Sequence, residues 1–245
     1  MEKIRFEVCA NSLQSALAAQ KGGADRIELC SQLKVGGVTP SAATIKMTIE
    51  RLRIPVFILI RPRSGDFFYD DFDMSVMKED IEIAKKYGAA GVVFGVLLAD
   101  GNIDVKRTSE LVKVARPMQV NFHRAFDRAR SPLSALEDVI KTGADRILTS
   151  GQAKSASSGK TLLKSLVEKA SDRIIIIAAS GITPENVSEL INSTGVREVH
   201  ASCSVKQKSE MEWGTEIDTG KITTVTDAKV VSKLANVLIN YPDAI

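Results

Sequence analysis

The sequence predicts a single-domain α/β fold in which parallel strands alternate with helices. Short runs rich in β-branched residues alternate with longer amphipathic runs, eight of each, and this order is typical of a parallel sheet covered by helices. A second observation is that glycine-containing junctions of similar sequence recur along the chain at nearly regular intervals. The 245 residues suffice for one large core, and no linker or low-complexity tract marks a second domain.

The strands are predicted from apolar runs bounded by turn-forming residues. The seventh run contains Ile174–Ile177, which is apolar on both faces, as expected for a helix-covered parallel strand. The eight predicted strands are Ile4–Cys9, Arg26–Leu29, Val56–Ile60, Gly91–Phe94, Gln119–His123, Arg146–Leu148, Arg173–Ala178 and Glu198–Ala201.

The helices are predicted from the amphipathic runs between these strands. Three sites, Thr39-Pro40, Ser131-Pro132 and Thr183-Pro184, predict an N-cap residue followed by a proline at the first helical position. The eight predicted helices are Ser12–Lys21, Ser41–Arg51, Met74–Tyr87, Val105–Ala115, Pro132–Lys141, Leu162–Ala170, Pro184–Asn192 and Asp227–Ile239.

Four glycines are predicted to end helices just before the even-numbered strands. Gly23, Gly88, Gly143 and Gly195 each lead within a few residues into a strand, and glycine commonly ends a helix in the left-handed conformation. A fourfold repeat of a double strand–helix unit is difficult to reconcile with an open sheet. We therefore predict a TIM-like (β/α)8 barrel over residues 1–245, with a variable loop around residues 206–226.

Net charge, hydropathy and cysteine count argue against several classes of function and location. The net charge of +3, without any long Lys/Arg run, argues against a nucleic-acid partner. No apolar run approaches the roughly 18–20 residues that a membrane span needs. The N-terminus runs directly into a strand, so we expect no signal peptide. Three cysteines, an odd number, do not form a disulfide framework, and we expect a cytoplasmic protein.

A repeated Glu-x-Cys phrase ends the first two predicted strands. Active sites of such barrels lie at the C-terminal strand ends, and Glu7, Cys9, Glu28 and Cys30 stand there. Side chains two residues apart on a strand point the same way, and neighbouring strands lie about 4.8 Å apart. Thiolates are soft ligands that suit Cu(I), so the two facing thiols could share one ion. A disulfide or simple burial of small apolar side chains is the alternative.

The two glutamates are predicted to lie one step deeper than the cysteines. A buried carboxylate must be paired or protonated, and Arg61 is the expected partner of Glu7 and Glu28. One interpretation is an ion-pair network that fills the barrel. The other is a general acid/base pair, in which the two like charges help to retain one proton.

Arg61 and Arg63 flank a proline after the third strand. Guanidinium groups bind carboxylate or phosphate through paired hydrogen bonds, so these residues predict a small anionic ligand. The alternative is structural pairing with Asp66, Asp70 or Asp71.

Other polar residues also follow predicted strands. His123 is a candidate for proton transfer, with Asp127 near enough in sequence to orient it. His200, near the end of strand eight, and Ser180, just after strand seven, are candidate ligand-binding residues. Both histidines and all three cysteines of the chain fall at this end of the predicted barrel, but Cys203 has no paired motif. This concentration is the main functional signal in the residues themselves.

Nine segments of the chain form a recognisable set: Glu7–Cys9, Gly22–Cys30, Gly36–Ser41, Ile60–Tyr69, Gly91–Gly95, Asp100–Asp104, Phe122–Asp127, Arg146–Gly151 and Glu198–His200. They resemble the CutC family, known as copper homeostasis proteins. The resemblance covers roughly residues 4–205. It departs after strand seven, where the family has a Gly-rich turn and this chain has Ala178–Gly181.

The resemblance implies a TIM-like barrel, a cytoplasmic location, a homo-oligomer and a link to copper. It implies that Cys9 and Cys30 correspond to thiols proposed as Cu(I) ligands. The segment Phe67–Tyr69 is interpreted as a lid or, preferably, an oligomer contact. The first functional hypothesis is therefore Cu(I) binding at the mouth of the barrel. The second is an enzyme of unknown reaction that acts on a small anionic metabolite by general acid/base catalysis, because the polar groups exceed what two-thiol copper binding requires.

Overall fold

Eight parallel strands close into a barrel in the order of the sequence. The structure is a computed structural model that describes residues 3–213 and 222–241. Each strand pairs with the next, and the last pairs with the first, which confirms the predicted (β/α)8 barrel. The barrel strands are β1 Arg5–Ala10, β2 Arg26–Leu29, β3 Val56–Leu59, β4 Gly91–Phe94, β5 Gln119–Phe122, β6 Arg146–Thr149, β7 Ile175–Ala179 and β8 Glu198–Ala201.

Eight α-helices in the described part of the chain surround the strands. Helix α3 begins three residues earlier than predicted, because the Asp70 side chain accepts a hydrogen bond from the Asp73 amide and caps it. None of the helices found in the described ranges is long and apolar enough to cross a membrane. The helices are α1 Leu13–Gly22, α2 Ala42–Arg51, α3 Asp71–Lys86, α4 Val105–Ala115, α5 Pro132–Thr142, α6 Lys160–Ala170, α7 Val187–Thr194 and α8 Ala228–Ile239.

Of the three predicted cap–proline pairs, one is correct. Ser131-Pro132 begins α5 as predicted. Thr39-Pro40 was wrong, because Ser41 caps α2 by accepting from the Thr44 amide. Thr183-Pro184 was also wrong, because Thr183 donates its amide to Asn186 Oδ1 in a turn that precedes α7. In both wrong cases the helix begins two or three residues after the proline, and at α2 the Ser41 side chain satisfies a free amide of the first helical turn.

The four predicted glycine junctions are confirmed. Gly23, Gly88, Gly143 and Gly195 have φ of 96°, 86°, 81° and 74°, which is the left-handed region that glycine enters without a steric penalty. Each closes a helix and releases the chain into β2, β4, β6 or β8. The internal repeat therefore reflects a repeated helix-ending geometry.

The predicted variable loop contains a β-hairpin. Strand β9, Ser204–Lys208, pairs antiparallel with β10, Ile222–Thr226, and residues 214–221 of the prediction lie outside the described residues. The hairpin is tied to the barrel by Asn11, whose side-chain amide donates to the Thr224 carbonyl. Strand β10 is a short run of β-branched residues without the apolar pattern of a barrel strand, so the sequence pattern does not predict it as a strand.

The core has two parts. The outward faces of the strands pack against the helices in one large apolar cluster. Inside the barrel, small apolar clusters alternate with buried polar groups. Arg26 bonds both Glu7 and Glu198, and Arg146 bonds Glu198, so charged side chains fill the middle and the N-terminal end. The C-terminal strand ends lie above this ionic layer.

Candidate functional site

A cavity of about 550 Å³ lies at the C-terminal ends of the strands. Its lining comes from the ends of β1, β2, β3, β6, β7 and β8 and from the segments that follow β2, β3, β5, β7 and β8, with one residue from α8. Both histidines line it, as do Cys9 and Cys203, while Cys30 is buried beside Cys9. The predicted gathering of thiols and imidazoles at one end of the barrel is thus confirmed.

The thiols of Cys9 and Cys30 are 3.7 Å apart. Both side chains are buried and unoxidised. The hydrogen bond that Cys9 shares with Cys30, together with burial, raises the pKa of the Cys9 thiol well above its usual range. Gly37 approaches closely, because a Cβ there would lie 3.3 Å from the Cys30 Cβ. The glycine therefore leaves room for the Cys9–Cys30 pair.

Glu7 is the centre of a buried ionic chain. It bonds Arg26 on one side and His200 Nδ1, at 2.7 Å, on the other. Burial alone would raise the pKa of Glu7, but the charge of Arg26 and the bond to His200 lower it to about 2. Burial would lower the pKa of His200, but the bond to Glu7 and the charge of Glu28 raise it. The prediction that Arg61 pairs with Glu7 was wrong, because Arg26 does so.

Glu28 lies beside Cys9 in the register of β1 and β2. It is buried, and its Oε2 has no hydrogen-bond partner within the described residues. Burial raises the pKa of Glu28 to about 7, and Glu7 adds to this effect. The expected pairing with Arg61 was therefore wrong for this carboxylate too. Glu28 combines an open oxygen with a pKa near neutrality, which suits either proton transfer or cation binding.

Ligand atoms of Cys9, Glu28 and His200 lie within 4.8 Å of one another. Sequence reasoning missed this triad, because it assigned each of the three residues a separate role. The register of the closing pair, in which Glu7 is opposite His200, brings β8 against β1. The predicted closure already indicated that residues of β8 lie near those of β1, because a barrel must place its last strand beside its first.

Arg61 is a buried cation without a nearby anion. Its guanidinium donates to the carbonyls of Val35, Gly37 and Gly65, and its Nε has no partner. The group lies over the Phe67 ring, 4.9 Å from the centroid. No carboxylate of the described residues lies within ion-pair distance of Arg61. Its positive charge therefore remains available to the cavity.

His123 lines the same cavity in its neutral form. Its Nδ1 accepts from the Ala125 amide at 3.3 Å, and its Nε2 has no partner in the described part of the chain. Burial and the charge of Arg61 lower the pKa of His123 to about 3. The ring packs against Gly95, where a Cβ would lie 2.8 Å from Nδ1. A neutral imidazole here offers a hydrogen bond to a ligand.

The prediction that Asp127 orients His123 was wrong. Asp127 accepts hydrogen bonds from the Thr149 hydroxyl and from the amides of Ser150 and Gln152, and it pairs with Arg124. These contacts fix the loop after β6. Asp127 is therefore a structural residue that shapes the rim of the cavity.

Arg63 does not line the cavity, contrary to its predicted substrate-binding role. Its side chain is 39% exposed and pairs with Asp66 and Asp73. Of the predicted structural partners, Asp66 is therefore confirmed, whereas Asp70 caps α3 and Asp71 pairs with Arg107.

The remaining predicted residues have mixed positions. Ser180 lines the cavity, and its hydroxyl donates to the Lys154 carbonyl. Its φ of 80° is left-handed, so this serine adopts a conformation that favours glycine. Phe67 and Tyr69 are buried, which leaves Phe68 as the exposed residue of the segment interpreted as a lid or oligomer contact.

The fold and site together define a TIM-barrel protein with a thiol, carboxylate and imidazole site at its C-terminal mouth. The CutC family model matches residues 4–205, and the chain belongs to the CutC family. It is 42% identical to the copper homeostasis protein cutC homolog of Homo sapiens over 246 residues, covering 96% of this chain and 90% of that protein. It is 46% identical to a family protein CutC of Bacteroides thetaiotaomicron, covering 88% of this chain and 87% of the other.

Solved structures agree with this assignment. CutC from Streptococcus agalactiae superposes with a TM-score of 0.78 at 32% identity, covering 81% of this chain and 98% of that one. N-(5'-phosphoribosyl)anthranilate isomerase from Pyrococcus furiosus superposes with a TM-score of 0.61 at 17% identity, covering 97% and 99% of the two chains. The second similarity shows the shared barrel fold alone, because one barrel supports many chemistries.

Proposed function

We propose that this protein binds Cu(I) through Cys9 and Cys30 and thereby acts in copper homeostasis. The 3.7 Å separation of the two thiols is the observation that carries the proposal. Two metal–sulfur bonds of about 2.3 Å, the length found for zinc, span such a separation around one ion. Thiolates are also the side chains that Cu(I) prefers.

The surroundings of the thiols support binding that is coupled to proton release. Because the pKa of Cys9 is raised, the ion must displace thiol protons, and Cu(I) affinity is expected to increase with pH. Two thiolates around Cu(I) leave one excess negative charge. His200 and Arg61 line the same cavity and are placed to offset it.

Titration of the full chain with Cu(I) against a competing chelator, under anaerobic reducing conditions, tests the proposal. We expect one tightly bound ion in the wild type and loss of this binding in the double variant Cys9→Ser/Cys30→Ser. Cys203→Ser is the matched control, because that buried thiol has no partner cysteine and should not affect binding. Equal affinity in the wild type and the double variant would overturn the proposal.

The proposal includes a cytoplasmic location and a homo-oligomer. Three unpaired thiols support a reducing compartment. The family resemblance supports self-association. Light scattering of the purified chain measures the oligomeric state, and a monomer at micromolar concentration would contradict this part of the proposal. Cell fractionation tests the location.

A second candidate function is an enzyme that acts on a small anionic metabolite. The specific observation is that Arg61, only 4% exposed, has no carboxylate partner among the described residues and lines a cavity together with the unpartnered Nε2 of His123. An uncompensated buried guanidinium favours a carboxylate or phosphate ligand. Glu28, with its pKa raised to about 7, is the best-placed general acid or base. Glu7 is held ionised by its partners and does not fit that role.

A ligand screen distinguishes this candidate. Inorganic phosphate and a set of small carboxylates and phosphate esters are tested for binding by calorimetry and for turnover. We expect the wild type to bind at least one anion and Arg61→Gln to bind it at least tenfold more weakly. Arg63→Gln is the matched control, because Arg63 is exposed and outside the cavity. Equal anion affinity in wild type and Arg61→Gln, or none in either, would count against the enzyme.

A further inference from the structure

The mouth of the barrel offers a second donor set that differs chemically from the thiol pair. Cys9, Glu28 and His200 bring one sulfur, one oxygen and one nitrogen within 4.8 Å of one another. We propose that these three side chains form a site for a divalent first-row metal ion, best matched by Zn²⁺, separate from the Cu(I) pair but sharing Cys9. This proposal does not depend on copper binding.

The donor types favour zinc over Cu(I). Zn²⁺ is bound in proteins by cysteine sulfur, histidine nitrogen and carboxylate oxygen, commonly in sets of three when a fourth position is left for water or substrate. Cu(I) prefers sulfur, and a carboxylate is a poor ligand for it. The Cys9–Cys30 pair therefore suits the monovalent ion, whereas the mixed triad suits the divalent one.

The orientation of His200 supports a role as ligand. Its Nδ1 is 2.7 Å from Glu7 Oε1, which directs the other ring nitrogen away from the glutamate. Metal-binding histidines almost always donate their second N–H to a carboxylate or carbonyl, which fixes the ring and its tautomer. Glu7 is itself held by Arg26, which Glu198 holds in turn. The ionic layer inside the barrel thus supplies a rigid support for one ligand.

Glu28, the carboxylate of the proposed zinc site, has no cationic partner among the described residues. Glu7 and Glu198 are paired with Arg26 and Arg146, but Glu28 makes no ion pair with the described residues and its buried Oε2 is unpartnered. A buried carboxylate needs a cation or a proton. With Cys9 as thiolate, the two negative charges balance one divalent ion.

The site opens on the cavity. Cys9, Glu28 and His200 all line it, together with Arg61 and His123. A metal held by three side chains would present its remaining position to the same space, where it could polarise a bound oxygen. Because Cys9 belongs to both sites, zinc and Cu(I) are expected to exclude each other.

The experiment uses Zn²⁺ in competition with a chelator, and Co²⁺ as a spectroscopic probe, on the full reduced chain. We expect one equivalent of Zn²⁺, with a thiolate-to-cobalt charge-transfer band in the Co²⁺ form. Glu28→Gln and His200→Asn should each weaken Zn²⁺ binding at least tenfold. Cys9→Ser should remove the charge-transfer band. Circular dichroism and thermal unfolding verify that each variant is folded.

Cys30→Ser separates the two sites. It should retain Zn²⁺ and the cobalt band while losing Cu(I), whereas Glu28→Gln should lose Zn²⁺ while retaining Cu(I). If Cys30→Ser abolishes Zn²⁺ binding and Glu28→Gln does not, zinc occupies the thiol pair and the inference is overturned. Absence of Zn²⁺ binding in the wild type also overturns it. Failure of the Cu(I) titration leaves these zinc measurements unaffected, so the two proposals fail independently.

Discussion

The two histidines of the mouth are buried in opposite electrostatic environments. Burial and Arg61 lower the pKa of His123 to about 3, whereas the bond to Glu7 raises that of His200 against the effect of burial. His123 is therefore neutral near pH 7, whereas the surroundings of His200 stabilise its cationic form relative to a free imidazole. The residue type alone carries no such distinction, because the neighbours of each imidazole decide its charge.

Replacing His123 with Asn should reduce the loss of stability in mild acid. Below pH 6.5 His123 is protonated in the unfolded chain but stays neutral in the folded protein. The contribution of His123 to the free energy of unfolding is therefore complete above pH 6.5 and decreases as the pH falls toward about 3. In acid, we expect the free energy of unfolding of the variant to decrease less steeply than that of the wild type, by up to about 1.4 kcal/mol per pH unit. Urea unfolding at a series of pH values measures it.

His200→Asn is the control, because the contribution of His200 to stability has the opposite pH dependence. The folded pKa of His200 is raised, so its contribution is complete below pH 6.5 and is lost as the pH rises through the folded value. An unchanged acid slope in His123→Asn would mean that water reaches the His123 ring in the folded protein.

At the scale of elements, glycine in β4 makes room for the interior of the barrel. A Cβ at Gly91 would lie 2.5 Å from the Phe57 ring of the neighbouring strand β3. The ring is buried, and Arg26 lies 4.8 Å from its centroid, so it has little space to move. Because Gly91 on β4 has no side chain, the Phe57 ring of β3 can occupy this part of the barrel interior.

Gly91→Ala should destabilise the fold by about 1–3 kcal/mol, because the added methyl group overpacks a rigid site. Denaturant unfolding measures the free energy. The double variant Gly91→Ala/Phe57→Leu should lose less than the sum of the two single variants, since a smaller side chain relieves the clash. Strict additivity of the two changes would show that the backbone absorbs the methyl group without contact.

On the scale of the whole molecule, one buried ionic network connects strands that are far apart in sequence. Glu198 on β8 bonds Arg26 on β2 and Arg146 on β6, and Arg26 also bonds Glu7 on β1. Buried charges of this kind are balanced only while every member is present. The network therefore links β1, β2, β6 and β8 to one another, and through Glu7 it also contacts His200 at the mouth.

Glu198→Gln should lower the free energy of unfolding by about 3–5 kcal/mol, because it leaves two buried guanidinium groups without their shared carboxylate. Chemical denaturation of the full chain provides the measurement. Glu137→Gln is the matched control, since Glu137 pairs with Arg173 at the exposed surface and its loss should change stability little. Similar effects of the two substitutions would refute a structural role for the network.

The sequence by itself determined the barrel and the end at which the candidate site lies. Strand–helix alternation, helix-ending glycines such as Gly23 and the Glu-x-Cys phrases are local patterns, so they could be recognised without knowledge of packing. The same patterns placed Cys9 and Cys30 side by side, because neighbouring parallel strands in a barrel follow each other along the chain.

Only the tertiary structure decided which side chains are partners. Glu7 binds His200, 193 residues away, and Arg26, whereas Arg61 near the mouth binds carbonyl oxygens. Such partnerships depend on register and on closure of β8 against β1, which no local pattern encodes. The physical reason is that a buried charge takes its partner from whatever the closed barrel places within hydrogen-bond distance, so the grouping of Cys9, Glu28 and His200 could be recognised only in the closed barrel.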